Sequence, residues 1–186
     1  MNSAPQQVRI IGGNWKGRLL PVTDKPGLRP TPNRIRETVF NWLQTYIEGS
    51  ECLDLFAGSG ALGFEAASRG AAHTTLIEKD AGIVLLLKKQ TETLQADNVT
   101  IQQADGLSYP QSTEKSFDIV FLDPPFNQID LPQLLTEFAE SAKLKPAAKI
   151  YVESPLGQLP EALPNQWSWW RRAKASQVEY GLIATD

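Results

Sequence analysis

The feature that most constrains this chain is a change of period at residues 53–63, "LDLFAGSGALG". A strand-like run ends, Gly58, Gly60 and Gly63 follow in quick succession, and a helical run begins. Glycine lets a backbone turn sharply and come close to a ligand. A helix that starts on such a loop offers unpaired N–H groups to it. The alternation then continues. Residues 73–78, 99–103, 117–123 and 148–154 read as strands, and residues 60–70, 81–94 and 131–144 as helices. Strands separated by helices call for a mostly parallel sheet with helices on both faces. Residues 167–185 read as two strands with a turn near Ala175-Ser176, so an antiparallel hairpin extends that sheet.

The N-terminal part has another character. Residues 8–20, "VRIIGGNWKGRLL", predict a small β-hairpin around Gly12-Gly13 and Gly17. Four prolines between residues 21 and 33 mark an irregular link, and apolar spacing predicts a helix over 33–47 with Asn33 as its cap. Residues 1–36 carry seven basic side chains against the single acid Asp24, although the net charge of the 186-residue chain is −3. A basic head on an acidic body suggests that the head meets a polyanion; the plainer alternative is a solvated arm. We therefore divide the chain into a basic extension, 1–36, and a larger domain, 37–186. Arg9, Lys16, Arg18, Arg29, Arg34 and Arg36 are the candidate nucleic-acid contacts, with pairing to an acid as the alternative for Arg36, and Trp15 is a candidate stacking or packing residue.

The single cysteine, Cys52, excludes an internal disulfide and reads as a buried, inert thiol. No multi-cysteine zinc site exists, and no metal is expected. The longest apolar runs are too short to cross a bilayer, and the N-terminus lacks the pattern of a secretory signal. The cytoplasm is the expected location and a monomer the expected state. His73 is expected in a loop. Trp167 and Trp169 should share one strand face and Trp170 the other.

Three acids fall at or near strand ends on the side of the glycine loop: Asp54, Glu78 and Asp105. An acid after the second strand can accept both ribose hydroxyls, which suits NAD and S-adenosylmethionine alike. Asp54 begins to separate them, since a carboxylate just before the glycines suits an α-amino group and not a pyrophosphate. Asp105 is placed to accept from an adenine amino group. The candidate cofactor contacts are thus Asp54, Phe56, Ala57, Gly58, Ser59, Gly60, Glu78 and Asp105. The glycine spacing taken alone is a weak signal.

The fourth strand ends in "FLDPPF", residues 121–126. An ordinary turn would use Gly or Asn here. Asp-Pro-Pro-Phe suits chemistry on an exocyclic nucleobase amine. Asp123 and the carbonyl of Pro124 can accept the two N–H bonds, which orients the nitrogen and stabilises positive charge developing on it. Pro125 biases the backbone of Pro124 away from the helical region. Phe126 offers a face on which an extruded base stacks. A rigid strand exit with Phe126 as a core plug is the structural alternative.

"DLFAGSGALGFEA", "LIEKD" and "DIVFLDPPF" together resemble class I S-adenosylmethionine-dependent methyltransferases that act on exocyclic amines. "VRIIGGNWKGRLL", "LRPTPNRIRETVFNWL" and "KASQVEYGLI" narrow the resemblance to the bacterial 16S rRNA (guanine-N2)-methyltransferase family, the RsmD type. It covers nearly the whole chain. It implies a Rossmann-like, mostly parallel seven-stranded sheet ending in an antiparallel hairpin. It also implies S-adenosyl-L-methionine as cofactor, and as substrate a guanine of 16S rRNA, within a partly assembled small subunit. Asp54, the 57–60 loop, Glu78 and Asp105 carry over as cofactor contacts, and Asp123, Pro124, Pro125 and Phe126 as the amine site. Pro32-Asn33 depart from a Thr-Asp pair usual in the family. The rivals are an adenine-N6 methyltransferase on DNA or RNA, a non-catalytic RNA-binding assembly factor, and an NAD-linked oxidoreductase.

Overall fold

The computed structural model describes residues 6–23, 31–126 and 128–185. Two β-sheets are present among them. The small one is the hairpin β1 (Gln7–Arg9) and β2 (Leu19–Pro21), antiparallel with Val8 opposite Leu20 and joined through a 3-10 turn at Gly13–Trp15. The large sheet has seven strands: β3 (Glu51–Asp54), β4 (His73–Glu78), β5 (Val99–Gln103), β6 (Phe117–Leu122), β7 (Leu144–Pro155), β8 (Ser168–Ala175) and β9 (Val178–Ala184). Their order is β5-β4-β3-β6-β7-β9-β8. The first five are mutually parallel, and β9 and β8 run antiparallel. The helices are α1 (Asn33–Trp42), α2 (Ala61–Ser68), α3 (Ala81–Leu94), α4 (Tyr109–Ser112) and α5 (Leu131–Glu140).

β3 is the point at which strand order reverses. β4 lies on one side of it and β6, late in the sequence, on the other. Ligands of open α/β sheets bind beyond the carboxyl ends of strands at such a point. The core continues on both faces of the sheet. Phe138, Leu134 and Leu135 of α5 pack under β6 and β7, while Ile35, Val39 and Phe40 of α1 pack against Phe121 and Tyr151 on the other face. Phe40, Phe121 and Tyr151 are fully buried. Each such side chain stabilises the fold by about 1.5–3 kcal/mol.

Several boundaries differ from expectation, for local reasons. α1 gives way to turns after Trp42, although Leu43 and Ile47 stay buried as its apolar spacing predicts. Pro32 occupies the cap position and Asn33 is the first helical residue, its Oδ1 accepting from Arg36 Nη2 at 2.6 Å. β7 begins early, at Leu144, because Leu144 pairs with Phe117 before the register shifts between Phe117 and Ile119. α4, a single turn, has too few residues to leave a periodic signal. His73 opens β4 and does not sit in a loop; its Nε2 lies 2.9 Å from Thr100 Oγ1. Trp167 and Trp169 pack into one core layer and Trp170 into the other, as alternation requires. Cys52 is buried, and burial pushes its thiol up to about 12. No helix among the described residues is long and apolar enough to cross a membrane.

Candidate active site

The glycine loop joins β3 to α2. Gly60 caps α2 with φ +76°, and a Cβ there would stand 2.7 Å from the Phe64 ring. Any other residue is therefore both strained and obstructed at this position. Asp54, at the end of β3, is 2% exposed, and its Oδ2 accepts from Gly63 N at 3.0 Å. Burial pushes its carboxyl up to about 7, while the N–H bonds from Gly63 and Phe56 pull the other way. Asp54 therefore braces the first turn of α2 from beneath the loop and leaves little open carboxylate.

Glu78 closes β4 next door and ties two backbone groups together. Its Oε2 accepts from Gly58 N at 3.0 Å and its Oε1 from Asp80 N at 2.8 Å. It remains half-buried. Asp105 is exposed at the rim, its Oδ1 accepting from Leu107 N at 2.9 Å. Gly106 brings that segment against the loop, for a Cβ there would lie 2.7 Å from Leu55 O and from the Phe56 ring. Phe56, Ala57, Gly58, Ser59, Gly60, Glu78 and Asp105 thus surround one crevice.

Asp123 faces the same crevice from the other side. β6 lies beside β3 with Phe121 opposite Asp54, and Leu55 N donates to Phe121 O at 3.2 Å. Asp123 Oδ2 accepts from Thr31 Oγ1 at 2.9 Å. Burial raises the Asp123 carboxyl, and the Thr31 bond holds it back. Pro124 is buried, Pro125 half-buried, and Phe126 is 40% exposed. Phe126 is thus an aromatic face at the rim and not a core plug. The nearest strand adds a further acid, Glu153 of β7, 5% exposed, whose Oε2 accepts from Tyr151 Oη at 2.7 Å.

The hairpin is anchored to α2 through a buried acid. Glu65, fully buried, accepts from Ile11 N and Gly12 N, each at 2.8 Å, from Arg69 Nε at 2.7 Å and from Arg36 Nη1 at 3.3 Å. Trp15 N donates to Ser68 Oγ at 2.9 Å, and Trp15 packs against the core beside α2. Gly13 passes so close to α2 that a Cβ would overlap Ser68 O. Arg36 therefore corrects an expectation. It is fully buried, donates to Arg9 O at 2.8 Å and to Thr31 O at 3.3 Å, and has no surface for RNA. Arg9, Lys16, Arg18 and Arg34 are exposed. Arg29 lies outside the described residues.

A family profile described as conserved hypothetical protein 95 matches residues 8–184. The Ribosomal RNA small subunit methyltransferase D of Escherichia coli strain K12 is 45% identical over 185 residues, spanning 100% of this chain and 93% of its own length. The protein of that name from Haemophilus influenzae is 45% identical over 185 residues, spanning 97% and 95%. This chain belongs to the small-subunit ribosomal RNA methyltransferase D family. The solved Escherichia coli structure of yhhF shares its fold with a TM-score of 0.89 at 43% identity, covering 96% of this chain and 98% of that one. The architecture is thus the class I methyltransferase fold, with the β8–β9 pair at one end and the family's hairpin against α2.

Within this methyltransferase D chain, sequence reasoning missed Thr31, Glu65, Arg69 and Glu153. Glu65 left one trace, as a lone charge inside the apolar run of α2, "ALGFEAAS". Thr31 left none, because its partner Asp123 is 92 residues away.

Proposed function

We propose that this protein transfers a methyl group from S-adenosylmethionine to the exocyclic N2 of a guanine in 16S rRNA. Ribosomal RNA methylation is the coarser statement, and membership of the methyltransferase D family supports it. The observation that carries the finer reading is the adjacency of β3 and β6, whose ends deliver the glycine loop and Asp123 to one crevice. The residues present fit the cofactor. Glu78 is half-buried and each of its oxygens, with one backbone N–H bound, has a lone pair left for a ribose hydroxyl, and the glycine backbone lets the methionine part come close. Bound there, the cofactor supplies an electrophilic methyl on a positively charged sulfur.

The chain's own residues prepare the nucleophile. A guanine amine is a poor one, because its lone pair is delocalised into the ring. Asp123 Oδ and Pro124 O accept its two N–H bonds and fix its direction. The nitrogen held by Asp123 and Pro124 would take the methyl carbon from the bound cofactor, with the electron pair of the carbon–sulfur bond staying on sulfur. The negative charge of Asp123 stabilises the positive charge growing on nitrogen, and one N–H proton leaves through that carboxylate to solvent. Phe126 stacks on the extruded base. Arg9, Lys16, Arg18 and Arg34 are the exposed cations that meet rRNA phosphates, and the unmodified small subunit is the substrate that presents them.

The test is transfer of labelled methyl from S-adenosylmethionine to unmodified small subunits, followed by nucleoside analysis. N2-methylguanosine is expected. Label in N6-methyladenosine would overturn the guanine reading and keep the amine site. Cofactor binding with no transfer to subunits, free rRNA or DNA would overturn the enzymatic reading.

A further inference from the structure

Glu153 is a buried acid to which the reaction above assigns no task. β6 and β7 run parallel with Leu122 opposite Val152, so the next residues, Asp123 and Glu153, stand side by side at the same end of the sheet. Phe121 and Tyr151 pack toward α1, and residues two apart on a strand share a face. Glu153 therefore points to the side where Thr31, leading into α1, donates to Asp123. Around the two acids stand hydroxyls and a third acid, Asp54 of β3, whose carboxyl is raised in part by the charge of Asp123. Thr31 serves Asp123, Tyr151 serves Glu153, and Tyr180 of β9 is the cross-strand neighbour of Glu153. From α1, Asn33 and Arg36 are bonded to each other, and Arg36 is turned to Glu65. Among the described residues no cation pairs with Asp123 or Glu153.

Two carboxylates placed like this do not both ionise near neutrality. Each loses hydration, and each repels the other. We propose that Asp123 and Glu153 form a carboxyl pair holding one proton between them, with Glu153 as the positioning residue that keeps it. Asp123 alone then presents negative charge to the target amine. The inference rests on the proposed methyl transfer for its purpose, but not for its geometry. Glu153 is 5% exposed whereas Asp123 is half-buried, and burial, then the charge of Asp123, raises the Glu153 carboxyl. While Glu153 is neutral, Asp123 is free to take up the amine proton. Once Glu153 ionises, the second charge drives the pair apart and misplaces Asp123.

Two measurements on the full chain test this. In a carboxyl-carbon NMR titration, the Glu153 resonance, assigned by its loss in Glu153→Gln, is expected to keep its proton past pH 7. In Asp123→Asn its midpoint should fall by about one unit or more. Titration of Glu153 in the ordinary carboxylate range, or a midpoint that Asp123→Asn leaves unmoved, overturns the pair. In methyl transfer, the wild-type rate should decline as Glu153 ionises. Glu153→Gln, which stays neutral and still offers Tyr151 an acceptor, should lack that decline. Glu153→Leu should lower kcat about tenfold or more with KM for the subunit unchanged. An alkaline decline common to wild type and Glu153→Gln overturns the positioning role. If no variant or wild type methylates any subunit, the functional reading fails, and the NMR titration still decides the carboxyl pair.

Discussion

Two acid clusters lie beside α1 and the residue that leads into it, Thr31, and they are served in opposite ways. Glu65 has two backbone N–H donors and two guanidinium partners, so its charge is fully met. Among the described residues, Asp123 and Glu153 are met by hydroxyl donors. The first arrangement fixes a structure: it joins the hairpin, α1 and α2 at one carboxylate. The second keeps charge unneutralised, which stabilises nothing by itself and suits a site that must meet positive charge arriving with a substrate. Inward-facing acids thus separate into a joint and a reactive centre according to what donates.

Breaking the joint should have the largest effect. Glu65→Ala leaves Arg36 buried without its partner and frees two hairpin N–H groups, so stability should fall by about 3–5 kcal/mol, read by denaturant unfolding. A loss below 1 kcal/mol would show that solvent replaces the carboxylate easily. Breaking the reactive centre should spare the fold. Asp123→Ala should lower kcat by about 10²–10³ or more, with cofactor affinity by calorimetry largely unchanged; wild-type turnover would remove Asp123 from the chemistry.

The neighbouring arginines Arg34 and Arg36 sharpen the contrast within one helix. Arg34→Glu should weaken rRNA binding and reduce its salt dependence by about one ion without shifting the melting temperature. Arg36→Ala should do the reverse, and identical behaviour of the two would erase the distinction. The acids without cations also set a pH dependence. Asp54 is raised to about 7 in the folded chain, against about 4 when unfolded. The folded chain therefore binds more protons across that window, and stability should rise as pH falls through it. Asp54→Asn should flatten this slope in thermal melts; an unchanged slope would relocate its source. The smallest effect belongs to Thr31→Val. It removes the hydroxyl donor that holds the Asp123 carboxyl down, so the acid limb of activity should move to higher pH while stability drops by about 1 kcal/mol. An unmoved limb would mean that water takes over from Thr31.

Much of this was legible locally. The glycine loop, Glu78 and "DPPF" each mark a strand end, and the strand-helix alternation places those ends on one side of a sheet. Long-range pairing was not legible. Arg36 read as one of a basic arm or as the partner of some acid, and nothing near it in sequence singles out Glu65, 29 residues on. Asp54 looked like an open ligand contact, because a strand end does not reveal that Gly63 turns back over it. In both cases the side chain's task is set by a partner brought in by tertiary folding.

The attachment of the hairpin to Glu65 also orders events during synthesis. Ile11 N and Gly12 N depend on a carboxylate 54 and 53 residues downstream. The first strands to leave the ribosome therefore wait, with no acid to receive them, until α2 has emerged behind them. Contacts of such separation close late and slow folding. The segment carrying much of this protein's positive charge is born beside ribosomal RNA and stays unclamped for that interval.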